Sequence, residues 1–175
     1  TIKKIISDGG SCILMSHLGR PKGVDQSLSM GNIAKEVERV LGSEILLSKD
    51  VVGPDAKSKS KNLKPGEILL LENLRFHKEE SEGDVAFAEE LSKLADCYIN
   101  DAFGTAHRAH ASTTIIAQFF EHKFFGKLLE KEVLSIDKVM KSGEKPVLAI
   151  LGGAKISDAF GMMRRILESG TADSV

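Results

Sequence analysis

What this chain has little of narrows its class before any motif is read. Cysteine is nearly absent: Cys12 and Cys97 are the only two, each inside an apolar run, SCILMS and DCYIN. Two such residues suggest neither a disulfide framework nor a zinc site, and both are expected to be small core side chains. The scarcity fits a reducing, cytoplasmic setting. A charge excess of either sign is missing too, since 24 Lys and Arg stand against 25 Asp and Glu for a formal net charge of -1. That balance points to no nucleic-acid partner and no membrane partner, so any basic site must be local. No apolar run approaches the roughly 20 residues of a membrane span, and no secretory signal pattern is visible. Internal repeats and low-complexity tracts are also lacking.

Apolar material is plentiful by contrast. Hydrophobic residues make up 42% of the 175, enough to fill a core. The length suits one domain, or one domain and part of another. Short runs that are apolar on both faces read as strands: 11–16, 44–48, 67–72, 97–100 and 146–151. Between them, 28–41, 54–61, 84–95 and 155–168 carry helical patterns. Strand and helix alternating in this way predict an α/β fold, a doubly wound parallel sheet of Rossmann-like type. The opening TIKKIISDGG reads as the end of an amphipathic helix, and the closing TADSV as the start of a strand. Both ends are therefore expected to cut through structure.

One segment departs from the alternation. Residues 127–141 place Leu128, Leu129, Val133, Ile136, Val139 and Met140 at helical spacing, and the turn-rich SGEKP follows. A fresh strand–Gly–helix unit then begins. Two readings are open here: an interdomain helix leading to a second domain, or one more packed helix of a single domain. On the first, residues 1–125 form most of one domain, 126–144 the linking helix, and 145–175 the opening of another.

Three of the strands run into the same chemistry. SCILMS leads to His17-Leu18-Gly19-Arg20, EILLLE to Asn73-Leu74-Arg75, and CYIN to Asp101 and on to His107-Arg108-Ala109-His110. The carboxyl ends of parallel strands share one sheet edge, where open α/β folds bind ligands. Arg20, Arg75 and Arg108 would then converge, and guanidinium forks suit phosphate and carboxylate groups. Each piece alone has a plainer reading. A single arginine after a strand is ordinarily solvated or caps a helix, His17 by itself more often satisfies backbone, and His107 and His110 can serve loop packing. The run KEESEGD at 78–84 reads as a solvated loop or the start of a helix. A fourth motif, Gly152-Gly153-Ala154-Lys155, follows PVLAIL and opens a helix, an arrangement that lets backbone N–H groups approach an anion. It is not the Walker pattern.

Taken together, SHLGRP (16–21), LLLENLRFH (69–77), NDAFGTAHRAH (100–110) and AILGGAKISD (149–158) resemble the motifs of the phosphoglycerate kinase family, in its order and at about its spacing. The resemblance runs over nearly the whole chain. It implies a two-domain α/β kinase that moves a phosphoryl group between 1,3-bisphosphoglycerate and ADP, giving 3-phosphoglycerate and ATP. It also implies substrate-binding roles for His17, Leu18, Gly19, Arg20, Arg75 and Arg108, and nucleotide-binding roles for Gly152, Gly153, Ala154 and Lys155. Catalytic roles fall to Lys155, Arg20 and Arg108. Mg-ATP or Mg-ADP would be a co-substrate, with no tightly bound cofactor and no protein metal ligand assigned. A cytoplasmic monomer is implied for the complete protein. Three departures from the family's pattern stand out: its Arg-x-Asp-x-Asn strand is not found, nor is its acidic residue near magnesium, and Ala159 stands where a second lysine is expected. The rival from another class is a non-catalytic α/β module that holds a phosphorylated metabolite in the arginine crevice.

Overall fold

The computed structural model describes residues 1–142, 144–151 and 156–174, and it divides the chain into two compact units, Thr1–Leu129 and Glu130–Val175. In chain order the first unit runs α1 (Ile2–Ser7), β1 (Cys12–Leu14), α2 (Gly31–Leu41), β2 (Leu46–Leu47), α3 (Pro54–Lys61), β3 (Ile68–Leu70), α4 (Lys78–Glu82), α5 (Val85–Ser92), β4 (Tyr98–Asn100) and β5 (Lys123–Phe125). Helix α6 (Lys127–Ser142) crosses the division, and α7 (Ile156–Glu168) belongs to the second unit. Single 3-10 turns at Gln26–Leu28, Leu74–Phe76, Phe103–Thr105 and Ile115–Phe119 fill much of the connecting backbone.

The fold is the parallel-sheet α/β type that the alternation predicts. Strand β3 lies between β1 and β2, parallel to both, with Cys12 opposite Ile68, Leu14 opposite Leu70 and Leu46 opposite Leu69. Its residues Ile68, Leu69 and Leu70 are all 2% exposed or less. A central parallel strand is covered on both faces, which is why its sequence is an unbroken apolar run. A second parallel pair joins β4 to β5, with Tyr98 opposite Lys123 and Asn100 opposite Phe125. Leu69, Leu71, Leu74, Phe87, Leu91 and Ile116 sit in one buried cluster that also takes in Tyr98.

Local chemistry fixes the helix ends. Pro54 occupies the first turn of α3, while the Asp50 carboxylate accepts from the backbone N–H groups of Asp55 (3.1 Å) and Ala56 (2.9 Å). The Asp84 side chain caps α5 by accepting from Phe87 N–H at 2.7 Å. Gly42 ends α2 in the left-handed region at φ 72°.

Several expectations need correction. Cys97 is exposed rather than a core residue, although Cys12 is buried. The helix expected from residue 28 begins at Gly31, because Asp25 caps a separate 3-10 turn through Ser27 N–H. The helix expected to reach 95 ends at Ser92. KEESEGD contains a short helix, α4, and its Glu80 is 1% exposed, not solvated. Strand β5 has no counterpart in the sequence reading, since Lys123, Phe124 and Phe125 are all exposed and carry no burial pattern.

In the second unit, PVLAIL makes a single parallel bridge, Leu148 with Ser174, instead of a full strand among the described residues. The Asp173 carboxylate accepts from Val147 N–H at 2.6 Å and pairs with Lys145 at 3.2 Å. Helix α7 runs from Ile156 to Glu168, close to the expected 155–168. Helix α6 covers the expected 127–141 as one continuous helix. No helix among the described residues is long and apolar enough to cross a membrane.

Candidate functional site

The segments that follow β1 and β3 are tied together by Asn73. This residue has no solvent exposure. Its Oδ1 accepts from the backbone N–H groups of Leu18 (3.2 Å) and Arg75 (3.1 Å), and its Nδ2 donates to the carbonyls of Leu18 and Leu28 (both 2.8 Å). A buried amide that meets four backbone groups leaves little of its own hydrogen-bonding capacity unused. Backbone bonds carry the two segments in parallel past the strand ends: Leu71 N–H to the Leu14 carbonyl at 2.9 Å and Leu74 N–H to the Ser16 carbonyl at 3.1 Å.

Arg75 is laid across this frame. Its Nη1 donates to the Gly19 carbonyl at 2.7 Å, while its Nε is buried with no hydrogen-bond partner among the described residues. Gly19 adopts φ 64°, and a Cβ there would press against the Leu28 side chain. The left-handed dihedral favours glycine at that turn, and a side chain there would also have to displace the tip of Leu28.

The third segment reaches the same place from β4. Thr113 Oγ1 and Thr114 Oγ1 each donate to the Arg108 carbonyl at 2.8 Å, and Arg108 N–H donates to Thr105 at 2.9 Å. Arg108 stands near enough to lower the pKa of Arg75, after burial, which is the larger cause, and Arg20 adds to the effect. His17 is likewise held below its ordinary value, first by burial and then by Arg75, Arg108 and His110. Burial lowers His110 as well, with Arg75, Arg108 and His107 acting in the same direction and Glu80 opposing them. Arg75 and Arg108 thus share one cationic neighbourhood with His17 and His110, and Arg20 joins it through Arg75. Like charges raise one another's energy unless an anion joins them, so such a cluster favours an anionic ligand. Of the remaining predicted residues, Leu18 and Gly19 contribute backbone to this frame through Asn73 and Arg75. Gly152, Gly153, Ala154 and Lys155 lie outside the described residues, and the side chain of Ala159 is not described either. Among the described residues no group of three or more His, Cys, Asp and Glu forms a metal site.

Two residues of this region escape sequence reasoning. Asn73 sits in a motif whose arginine draws the eye, and it is separated by Glu72 from the four-residue apolar run Ile68–Leu71. Glu80 lies in a run of charges, and nothing in its spacing distinguishes the buried carboxylate from its exposed neighbours.

A parallel-sheet α/β protein whose strand ends gather arginines in this way belongs to a known class of fold. The chain is a member of the phosphoglycerate kinase family: the model of that family, "Phosphoglycerate kinase", matches residues 1–175. It is 48% identical over 168 residues to a phosphoglycerate kinase of Moorella thermoacetica, covering 95% of this chain and 42% of that protein. The enzyme of Porphyromonas gingivalis is 44% identical over 192 residues, covering 95% and 46% respectively. Among solved structures, the crystal structure of phosphoglycerate kinase from Pyrococcus horikoshii superposes with a TM-score of 0.88 at 32% identity, over 98% of this chain and 44% of that one. The chain spans less than half the length of these relatives.

Proposed function

We propose that this chain is the substrate-binding part of a phosphoglycerate kinase, an enzyme that transfers a phosphoryl group reversibly between 1,3-bisphosphoglycerate and ADP. Residues 1–125 are read as the phosphoglycerate-binding domain, 126–144 as the interdomain helix and linker, and 145–175 as the start of a nucleotide-binding domain. In this reading His17, Arg20, Arg75 and Arg108 take the anionic groups of 3-phosphoglycerate, with the backbone of Leu18 and Gly19 beside them. Arg20, Arg108 and Lys155 are read as the catalytic residues, and Gly152, Gly153, Ala154 and Lys155 as those that bind the nucleotide, with Mg-ATP or Mg-ADP as co-substrate. The observation that carries the proposal is the crowding of Arg20 and Arg108 around Arg75, with His17 near Arg75 and Arg108, and with Arg75 Nε buried and without a hydrogen-bond partner among the described residues. Phosphoryl transfer asks chiefly for positioning and charge neutralisation, and guanidinium groups supply both. A cytoplasmic, monomeric complete protein with no tightly bound cofactor belongs to the same reading. Calorimetric titration of the 175-residue chain with 3-phosphoglycerate tests it. Saturable binding that weakens about tenfold or more in Arg75→Ala supports the proposal, on the scale of a lost charged contact. Equal affinity of the two proteins would rule it out.

A further inference from the structure

The turn over residues 108–114 carries two members of the cationic cluster, and its own threonines fold it back on the Arg108 carbonyl. Two groups hold the turn to the rest of the unit: Glu80 on one side, and Tyr98 with Asn100 on the other. Glu80 is 1% exposed. Its Oε2 accepts from Ser112 N–H at 3.0 Å and its Oε1 from the Ser112 hydroxyl at 2.7 Å. Its backbone carbonyl takes a third bond from the same turn, Ala111 N–H at 2.9 Å. From β4 the Tyr98 hydroxyl lies 2.8 Å from the Ser112 carbonyl and 3.1 Å from that of Thr113, and Asn100 Nδ2 donates to the Thr113 carbonyl at 3.2 Å, so the carboxylate of Glu80 is the only charged anchor of the turn among these groups. The end of α4 presses close underneath: Gly83 stands at φ 69°, and a Cβ there would collide with the Ala109 carbonyl.

Burying a carboxylate is costly, and an apolar side chain of similar volume often serves stability as well or better. A buried acid whose two oxygens both engage one serine of a ligand-bearing turn therefore calls for a reason beyond stability. We propose that Glu80 is a positioning residue of the anion site: its carboxylate pins Ser112, fixes the 108–114 turn, and so sets where Arg108 and His110 stand. The proposal rests on the anion-site reading given above and adds the group that builds one wall of that site. Glu80 also lies 3.8 Å from His110 Nδ1, as the acid nearest that imidazole. The other charged or titratable groups facing His110 are cationic or neutral bases: Arg75 from the turn after β3, His17 from the segment after β1, and Arg108 and His107 from its own turn. Glu80 thus offsets part of the cationic crowding on His110 and lets it be protonated at a higher pH than its neighbours alone would allow.

Glutamine separates the two roles. Its amide oxygen can accept from Ser112 N–H, and its NH2 can donate to the Ser112 hydroxyl, so Glu80→Gln keeps both bonds and loses only the charge. The test uses the full 175-residue chain, 3-phosphoglycerate as the probe, and NMR titration of the His110 imidazole. Glu80→Ala is expected to weaken probe binding about tenfold, the scale on which outer-shell supporting groups act. Glu80→Gln is expected to restore affinity relative to Glu80→Ala at pH 8, while moving the His110 titration to lower pH than in the parent chain. Should Glu80→Ala fail to fold, Ser112→Ala replaces it, removing only the 2.7 Å bond, and a smaller loss of affinity in the same direction is expected. Binding by the parent chain with no loss in Glu80→Ala or Ser112→Ala, or a His110 titration unmoved in Glu80→Gln, overturns the proposal and leaves the anion site standing. No binding by the parent chain overturns the anion-site reading itself, and the positioning role falls with it.

Discussion

Asn73 joins three stretches of backbone from a position without solvent exposure. Truncating it would strip partners from Leu18 N–H and carbonyl, Arg75 N–H and the Leu28 carbonyl at once. Each buried group left unpaired costs about 1–3 kcal/mol, although water entering the gap would recover part of that. Asn73→Ala is therefore expected to lower unfolding stability by about 3 kcal/mol, measured by urea denaturation. Asn73→Asp loses the two Nδ2 donations, leaves the two acceptances, and is expected to fall between the parent and the alanine variant. A loss under about 0.5 kcal/mol in Asn73→Ala, the size of an ordinary surface change, would show that the four bonds do not hold the segment. Sequence reasoning found the arginines of this region because charge after an apolar strand is conspicuous. It missed Asn73 and Glu80 because their importance lies in what surrounds them. The partners of Glu80, Ser112 and His110, are about thirty residues away in the chain, and no local period encodes a contact of that span.

At the scale of elements, legibility followed the strength of local signals. The stretch 54–61 is read to the residue because proline opens α3 and asparagine follows its end. The apolar centre of EILLLE is equally plain, since a strand covered on both faces, here Ile68–Leu70, must be apolar throughout. Strand β5 has neither advantage. It is defined by its hydrogen-bonded partner β4, and its three exposed residues follow no inward-outward alternation. The start of α6 illustrates how tertiary contacts finish what a pattern begins. Asp101, just beyond β4, accepts from the backbone N–H groups of Leu128 (2.8 Å) and Leu129 (3.0 Å), and from the Thr1 hydroxyl at 2.6 Å. A Cβ on Gly126 would run into that carboxylate. Burial pushes the Asp101 carboxyl up, but these hydrogen bonds outweigh it and the pKa is lowered from its ordinary 3.8. A depressed folded-state pKa means that the contribution is fully present above the unfolded value and fades as pH falls through the folded one. Asp101→Ala is expected to cost about 1–2 kcal/mol at pH 7, as for other helix caps. The difference between parent and variant should shrink below about pH 4. Denaturation at pH 7 and pH 3 gives the comparison, and a difference that stays constant across that range would contradict the capping role.

For the whole molecule, the decisive fact is that the chain covers less than half of each relative it matches. Helix α6 exposes Leu128, Val133, Leu134, Ile136, Val139 and Met140, each at about half or more. Binding and turnover should therefore separate in the 175-residue chain. The cationic cluster is assembled from the first unit alone, through Asn73, Arg75 and the 108–114 turn, so affinity for 3-phosphoglycerate is expected to survive in weak form. Contacts of this kind are screened over roughly 8–10 Å at moderate salt, and raising sodium chloride from 50 mM to 500 mM should weaken binding several-fold. Turnover needs more than affinity. The donor and acceptor phosphates must be held in line, and positioning of that kind commonly supplies about 7–11 kcal/mol of a barrier. The residues proposed to meet the nucleotide, Gly152 to Lys155, are a single short segment. Essentially no ATP formation from 1,3-bisphosphoglycerate and ADP is expected in a coupled assay on the purified chain. The same assay on a full-length relative serves as the positive control. ATP formation at a comparable rate by the 175 residues would mean that the first unit and the opening of the second already contain the whole phosphoryl-transfer machinery, and the division of labour proposed between the two domains would have to be given up.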